Sequence, residues 1–293
     1  MFYVDDGLVA ARSVAEADSI VDMVAKLFPI HKLGEPSDML GLEVERDRRA
    51  GEKSIRQAAK AKGLAEAFRV AGDRRTIPMR SAVYGSLKCA KPGDETADKT
   101  AYQSGIGSLL HMAQCVRPDI AARVGALAAF GSAPTAVHFA AMLDVIGYVG
   151  ATAERGISYG HSDVAVKIWC DANFAACMDT RRSRSGWVVV CFGGAVSWES
   201  CKQPTAAAST MEAEYQACGA VAREGLRFRK LLREFHVFCE ALKLNGPLMI
   251  HCENKAALSL CSDRKETKRA NILTLCTTSH VIMLQVGNYF SCM

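Results

Sequence analysis

The chain has 293 residues, 49% of them hydrophobic, with a formal net charge of +5 and a sequence pI near 8.6. That length allows two domains, the apolar fraction allows real cores, and the mild basicity suits a nucleic-acid partner without demanding one. No apolar run reaches the ~20 residues of a membrane span, and the start, MFYVDDGLVAARS, carries acids where a signal peptide needs a basic and then an apolar region, so the expectation is an intracellular protein, cytoplasmic or nuclear, with no membrane partner.

In chain order, Phe2–Val4 and Leu8–Ala11 are strand-like runs on either side of Asp5, Asp6 and Gly7. Any hairpin shows this pattern, because Gly tolerates positive φ. The functional alternative is that Asp5 and Asp6 bind Mg²⁺, a hard cation that prefers oxygen ligands. Ser13–Phe28 reads as a helix opened by the capping box Ser13/Glu16, with Val14, Ala17, Val21, Val24 and Leu27 at helical spacing. Leu40–Glu45 and Ser54–Arg56 read as strands around the turn Arg48–Glu52, and Gln57–Val70 as a helix with Lys60 and Lys62 on its polar side. Gly72–Ser81 and Lys88–Asp98 read as loops flanking a poorly structured stretch. Three helices follow: Tyr102–Val116, Pro118–Phe130 with Pro in its first turn, and Thr135–Gly150. Gly156–Ser162 reads as a linker, with the domain boundary near Ser162.

Val164–Cys170 is a predicted strand ending at Asp171; Ser185–Cys191 and Ala195–Glu199 are strands joined at Gly193-Gly194. Thr210–Phe235 is a long helix with Met211, Tyr215, Cys218, Val221 and Leu226 on or near one side, followed by a strand over Pro247–Cys252 and a helix over Asn254–Cys261. The order predicts an α/β domain with a mixed sheet. Asp171 at a strand end, Glu212 in the first turn of the long helix and Glu253 after the later strand are acids brought together from distant segments, which suggests a divalent-metal site. Glu212 also completes a capping box with Ser209, and both roles are compatible, since the dipole favours an acid in the first turn. Glu214 lies two positions on and is expected on a different face. The 12 cysteines include no CxxC pair and no zinc-spaced Cys/His set. Cys170, Cys191 and Cys252 sit in apolar runs and read as reduced, core-filling thiols.

Three strings carry a resemblance. YVDDGLVAA resembles the metal-binding hairpin of reverse transcriptases. RPDIAARVGALAAFGSAPTAVHFAAMLDVIGYVGAT resembles the connecting region of Ty1/copia-type retrotransposon Pol polyproteins, and DTRRSRSGWVVVCFGGAVSWESCKQPTAAASTMEAEYQA the ribonuclease H domain of the same family. The likeness runs from residue 2 to about residue 272, in the family's order. It implies an α/β (α+β) chain: a truncated reverse-transcriptase palm and following segment over 1–80, a helical connection over 81–162, a ribonuclease H-like mixed-sheet domain over 163–262 and a divergent tail over 263–293.

The resemblance also implies roles. Asp171 matches the family's first ribonuclease H aspartate and Glu212 the helix glutamate, while Asn173 stands where a second aspartate is common. Glu253 replaces the usual aspartate of a CDN string; the extra methylene moves the carboxylate by about 1 Å, a misplacement that can cost roughly 100-fold in rate. The family's TKHID-like string is replaced by Thr267–Asn271, with Arg269 and Asn271 in place of its histidine and aspartate. The implied chemistry is hydrolysis of RNA in an RNA–DNA hybrid, with Mg²⁺ or Mn²⁺ held by Asp171, Glu212 and Glu253. Arg181, Arg182 and Arg184 would touch the hybrid backbone, or are simply surface arginines on a loop. Met1 falls just before the YVDD hairpin, so the fingers and first half of the palm are missing and no polymerase activity is expected. The alternatives are an inactive retrotransposon remnant that at most binds nucleic acid, or an interaction module with no nucleic-acid role.

Overall fold

The computed structural model describes residues 2–3, 6–11, 13–70, 75–160, 166–234, 248–257, 274–278 and 281–285. Strand β1 (Phe2–Tyr3) pairs antiparallel with β2 (Asp6–Gly7), Phe2 opposite Gly7 and Tyr3 opposite Asp6. The hairpin therefore closes earlier than the Asp-Gly signal implied: Asp6 and Gly7 are paired strand residues, and Leu8–Ala11 form no strand. Asp5 and the side chain of Asp6 lie outside the described residues. Helix α1 (Val14–Ala25) starts as expected, with the Ser13 hydroxyl accepting the Glu16 N–H at 3.2 Å. None of its residues is buried, and Val14, Met23, Leu27 and Phe28 on and after it are exposed.

Strands β3 (Asp38–Met39), β4 (Leu42–Asp47) and β5 (Glu52–Arg56) form an antiparallel meander followed by α2 (Ala58–Ala67), α3 (Ser81–Ser86) and α4 (Lys99–Cys115). The stretch expected to lack structure thus contains α3. A 3₁₀ turn at Pro118–Ile120 leads into α5 (Ala121–Leu127), and a second at Ala128–Phe130 splits what read as one helix. Helix α6 (Ala136–Ala151) is capped by Thr135, whose N–H donates to His138 Nδ1 at 3.0 Å. The His138 ring is buried against Phe130, and burial pulls its pKa down, which keeps the accepting nitrogen unprotonated.

Strand β6 (Ile157–Tyr159) adds antiparallel to β5, giving the sheet order β3-β4-β5-β6. This corrects the expected linker. Gly156 there marks a close approach, since a Cβ on it would lie 2.1 Å from the Ile55 carbonyl oxygen. Ala61 and Leu64 of α2 share one core with Tyr102, Leu109 and Met112 of α4 and Met142, Val145 and Ile146 of α6. The segments before and after residue 80 are therefore packed on a common interior.

Arg117 lies almost wholly inside this unit and is fully engaged. Its Nε and Nη2 donate to the two Asp119 oxygens at 2.9 Å each, and Nη1 donates to the Thr152 carbonyl at 3.1 Å. Tyr148 Oη donates to Asp119 at 2.8 Å. Burial raises the Asp119 pKa, but the Arg117 and Tyr148 hydrogen bonds outweigh it and hold the carboxyl below its usual range.

The second sheet runs β11-β12-β10-β7-β8-β9, where β7 is Val166–Asn173, β8 Arg184–Cys191, β9 Gly194–Lys202, β10 Leu248–His251, β11 Thr274–Thr278 and β12 Val281–Gln285. β7, β8 and β9 form an antiparallel meander; α7 (Thr210–Glu234) then crosses the sheet so that β10 pairs parallel with β7. This is the expected mixed sheet. The turn between β8 and β9 is Phe192-Gly193, both at positive φ (54° and 79°), rather than Gly193-Gly194. Gly194 opens β9, where a Cβ would lie 2.6 Å from the Ser158 carbonyl oxygen. Tyr159 Oη also donates to the Ala195 carbonyl at 2.8 Å, and Trp198 Nε1 to the Ala113 carbonyl at 2.7 Å, so β9 is tied both to β6 and to α4.

The tail, divergent in sequence, adds a hairpin to this sheet: β12 pairs antiparallel with β10 and with β11. Only residues 254–257 of the expected helix over Asn254–Cys261 are described, and 255–257 are helical; Arg269, Asn271 and the boundary near Ser162 lie outside the described residues. No helix among the described residues is long and apolar enough to cross a membrane.

The Arg117 network makes a quantitative prediction. Arg117→Ala removes a buried guanidinium with its hydrogen bonds to the partly exposed Asp119 and to Thr152 and lowers stability by about 1.5–3 kcal/mol, whereas Lys62→Ala, which breaks an exposed pair with Glu154, changes it by about 1 kcal/mol or less. Urea unfolding of the two variants beside the wild type measures both, and equal losses would refute the assignment.

Candidate active site

The meeting point is the end of β7. The parallel pairing sets Ile250 beside Ile168 and His251 beside Trp169, so the chain leaving β10 carries Cys252 and Glu253 towards the same end as Cys170 and Asp171. Alternation along β7 buries Ile168 and Cys170 and exposes Trp169 and Asp171. Across the buried face lies α7, whose Cys218, Val221 and Ala222 pack with Ile168, Val189 and Ile250. That seat fixes the rotation of the helix. One turn before Cys218, on the same stripe, stands Glu214.

Glu214, and not Glu212, faces Asp171. Its carboxyl group lies close enough to Asp171 and to the Ala172 N–H to feel both, and Cys252 Sγ stands 3.9 Å from its Oε2. Burial first, then Cys252 and the charge on Asp171, push its pKa from 4.5 up to about 7. Glu212 is committed to the helix start. Its Oε2 accepts the Ala208 N–H at 2.7 Å, its Oε1 accepts from Gln216 at 3.4 Å, and its own N–H donates to Ser209 Oγ at 3.1 Å. The expected capping role is present; the expected placement of Glu214 on another face is corrected. Met211 and Tyr215, expected on the packed side, are exposed. The signal that would have found Glu214 is the stripe itself: Cys218, Val221, Ala222 and Gly225, extended back one turn, lands on residue 214.

Glu253 is exposed in the turn after β10. No three carboxylates among the described residues converge within 4.8 Å, so Asp171, Glu212 and Glu253 are not gathered into one set; the contact that exists is Asp171–Glu214. Two neighbouring carboxyl groups, one of them lifted towards neutrality, are donors suited to a hard divalent cation. Asn173 pairs with Arg184 across β7 and β8 and is exposed.

The polar strings around the site have structural work. In the loop 174–183, Ala175 and Arg181 take positive φ (50° and 54°). The loop is closed by Arg181 N–H to the Cys177 carbonyl and Cys177 N–H to the Arg182 carbonyl. Buried Ser183 accepts the Ala175 N–H at 3.0 Å. Buried Gln203 donates from Nε2 to Ser185 Oγ at 2.9 Å and to the Ala213 carbonyl at 2.8 Å, tying the end of β9 to the start of α7. Arg181 and Arg182 are exposed, while Arg184 donates to the Ser200 carbonyl at 2.9 Å. Arg182 and Arg184, with Lys202, line a groove of about 250 Å³ between this sheet and the helical unit, whose opposite wall includes Tyr84, Gly125 and Phe130.

Comparison with known proteins places these elements in context. The chain is 29% identical over 272 residues to the retrovirus-related Pol polyprotein from transposon TNT 1-94 of Nicotiana tabacum, covering 87% of this chain and 20% of that protein. It is 31% identical over 220 residues to a transposon Ty5-1 protein of Saccharomyces cerevisiae, covering 73% of this chain and 69% of that protein. It is 36% identical over 126 residues to a protein named secreted RxLR effector protein 161 of Plasmopara viticola, covering 43% of this chain and 89% of that protein. The chain thus spans about a fifth of the tobacco polyprotein's length. No protein-family profile and no solved structure matches it.

The Glu214 environment predicts a pH signature. The folded state binds this proton more tightly than the unfolded state, so the stabilisation is fully present below about pH 4.5 and is lost as pH rises through about 7. Glu214→Gln cannot ionise and removes that part of the profile. Thermal melts of metal-free wild type and Glu214→Gln from pH 4.5 to 8 should converge at the acid end and separate with rising pH, the variant becoming the more stable. Parallel curves would reject the raised pKa assigned to Glu214.

Proposed function

Because the chain belongs to the Pol polyproteins of copia-type retrotransposons, we propose that its second sheet and α7 form a ribonuclease H-type hydrolase that cuts RNA in RNA–DNA hybrids. The observation that carries this reading is the Asp171–Glu214 carboxyl pair at the end of the central strand. Asp171 and Glu214 would hold Mg²⁺ or Mn²⁺, with Glu253 the nearest further acid in the fold's logic, on the turn that follows the parallel neighbour strand. The bound cation supplies the charge that makes water a nucleophile at neutral pH and neutralises the departing 3′ oxygen. Gln203 and the apolar seat of α7 hold Glu214 in place; Glu212 secures the helix start. Arg182, Arg184 and Lys202 line a groove that suits a phosphate backbone, and Arg181 stands exposed beside it, so hybrid binding should weaken with salt. The 2′-OH and the wide minor groove distinguish the RNA strand.

A second reading, binding of nucleic acid without cleavage, is favoured by one observation: no three carboxylates converge within 4.8 Å among the described residues.

Cleavage of a labelled RNA–DNA hybrid in Mg²⁺ and in Mn²⁺ tests the first reading. The wild type should cut; Asp171→Asn and Glu214→Gln should each lose at least about 100-fold. Glu212→Gln should keep most of the rate and lower helix stability by only about 0.3–1 kcal/mol, since a glutamine still closes the capping box and only the charge on the helix dipole is lost. Salt-sensitive retention of the hybrid by folded wild type without cleavage would replace the first reading with the second. Loss in Glu212→Gln but not in Glu214→Gln would overturn the residue assignment.

A further inference from the structure

Beneath the carboxyl pair lies a second set of donors of different chemistry. Cys170 on β7, Cys218 on α7 and Cys252 just after β10 are all buried, and their sulfurs lie within 4.8 Å of one another. The Cys170 and Cys218 sulfurs are 3.5 Å apart, and Cys252 Sγ is 3.9 Å from Glu214 Oε2. The three thiols come from three elements, so no local sequence spacing produces the cluster. It follows from the parallel register of β7 and β10 and from the rotation of α7, which presents Glu214 and Cys218 four residues apart on one face. Cysteines that merely fill a core point their small side chains wherever space remains. Here the sulfurs, rather than only the residues, converge, and the Glu214 carboxylate stands beside Cys252, outside the 4.8 Å set of the three sulfurs, so it moves inward to ligate.

We propose that Cys170, Cys218 and Cys252, with Glu214 as fourth ligand, form a binding site for a thiophilic cation of the zinc class. Three sulfurs and one oxygen are a donor set for a tetrahedral d¹⁰ ion. Tetrahedral coordination with Zn–S bonds of about 2.3 Å places sulfurs about 3.8 Å apart. The Cys170–Cys218 separation of 3.5 Å already falls near that value, and the widest pair, bounded by 4.8 Å, needs to close by about 1 Å at most. Each ligating thiol gives its proton to solvent as the metal enters. A hard cation such as Mg²⁺ has no use for these sulfurs. Glu214 is shared between the two sets, so occupation by the soft ion withdraws it from Asp171. That consequence rests on the hydrolase reading; metal binding by the thiols does not.

The test is zinc K-edge X-ray absorption on the reduced full-length chain loaded with one zinc per chain, which needs no variant to fold. Three sulfur neighbours and one oxygen neighbour are expected; two or fewer sulfurs, or four, overturn the proposal. Competition with a chromophoric chelator then assigns the site: Cys218→Ala should weaken zinc binding by at least about 100-fold, while Cys201→Ala, on β9 outside the cluster, should leave it unchanged. Equal affinities in wild type and a folded Cys218→Ala chain would refute it. Hybrid cleavage plays no part in these readouts, so failure of the zinc site and failure of the hydrolase reading are separately visible.

Discussion

The contact on which the site depends is the seating of α7 across the sheet through Ile168, Val189, Val221 and Ile250, each fully buried. Each such side chain contributes about 1.5–3 kcal/mol on leaving water. The larger consequence is angular. A helix carries a side chain every 100°, so the apolar stripe that anchors α7 decides which of its two early acids turns inward. Once Cys218, Val221 and Ala222 are down, Glu214 must face the end of β7, and Glu212 must lie near the open side, where the Ala208 N–H claims it. The parallel pairing of β10 with β7 completes the arrangement, because only neighbouring parallel strands deliver the residues that follow them to the same end.

This explains which parts were legible in the sequence. The mixed sheet, the long helix and the strand ending at Asp171 follow from periodicity and from turn residues, and these survive small errors of register. Glu212 and Glu214 differ by two positions, and there register is everything. Ser209 and Glu212 form a genuine capping box, a signal strong enough to draw attention to the wrong acid. Met211 and Tyr215 look like core residues by type, yet they are exposed, and counting them rotates the inferred face away from Glu214. Likewise Gly156 and Gly194 read as flexible punctuation when their actual service is to let Ile55 and Ser158 backbone approach. A sequence shows that a glycine is required, but close approach and loop look alike until the neighbour is known.

The two halves of the chain use polarity differently. In the helical unit, the buried Arg117 is completely paired: Asp119 and Thr152 take its N–H groups and Tyr148 donates to the same Asp119, which serves structure. In α1 the apolar spacing predicted a packed helix, but no residue of it is buried within the described chain. Amphipathic spacing says which face seeks cover; whether cover exists is a property of the rest of the fold.

At the end of β7 the polarity is left unresolved, and that is where chemistry has room. Asp171 and Glu214 lie side by side there, and burial, then Cys252 and the charge on Asp171, raise the pKa of Glu214. Just past β9, Gln203 spends its Nε2 on Ser185 Oγ and the Ala213 carbonyl, while its own Oε1 and the Trp187 Nε1 of β8 stay buried without a partner. Acids retained in contact against their own repulsion are best understood by what would relieve it, and a divalent cation does so with the charge and the oxygen preference the pair presents. The thiols below them make the same point with softer donors. Their convergence with Glu214 gives one carboxylate two sets of neighbours, and the softness of the cation that arrives decides which set it joins.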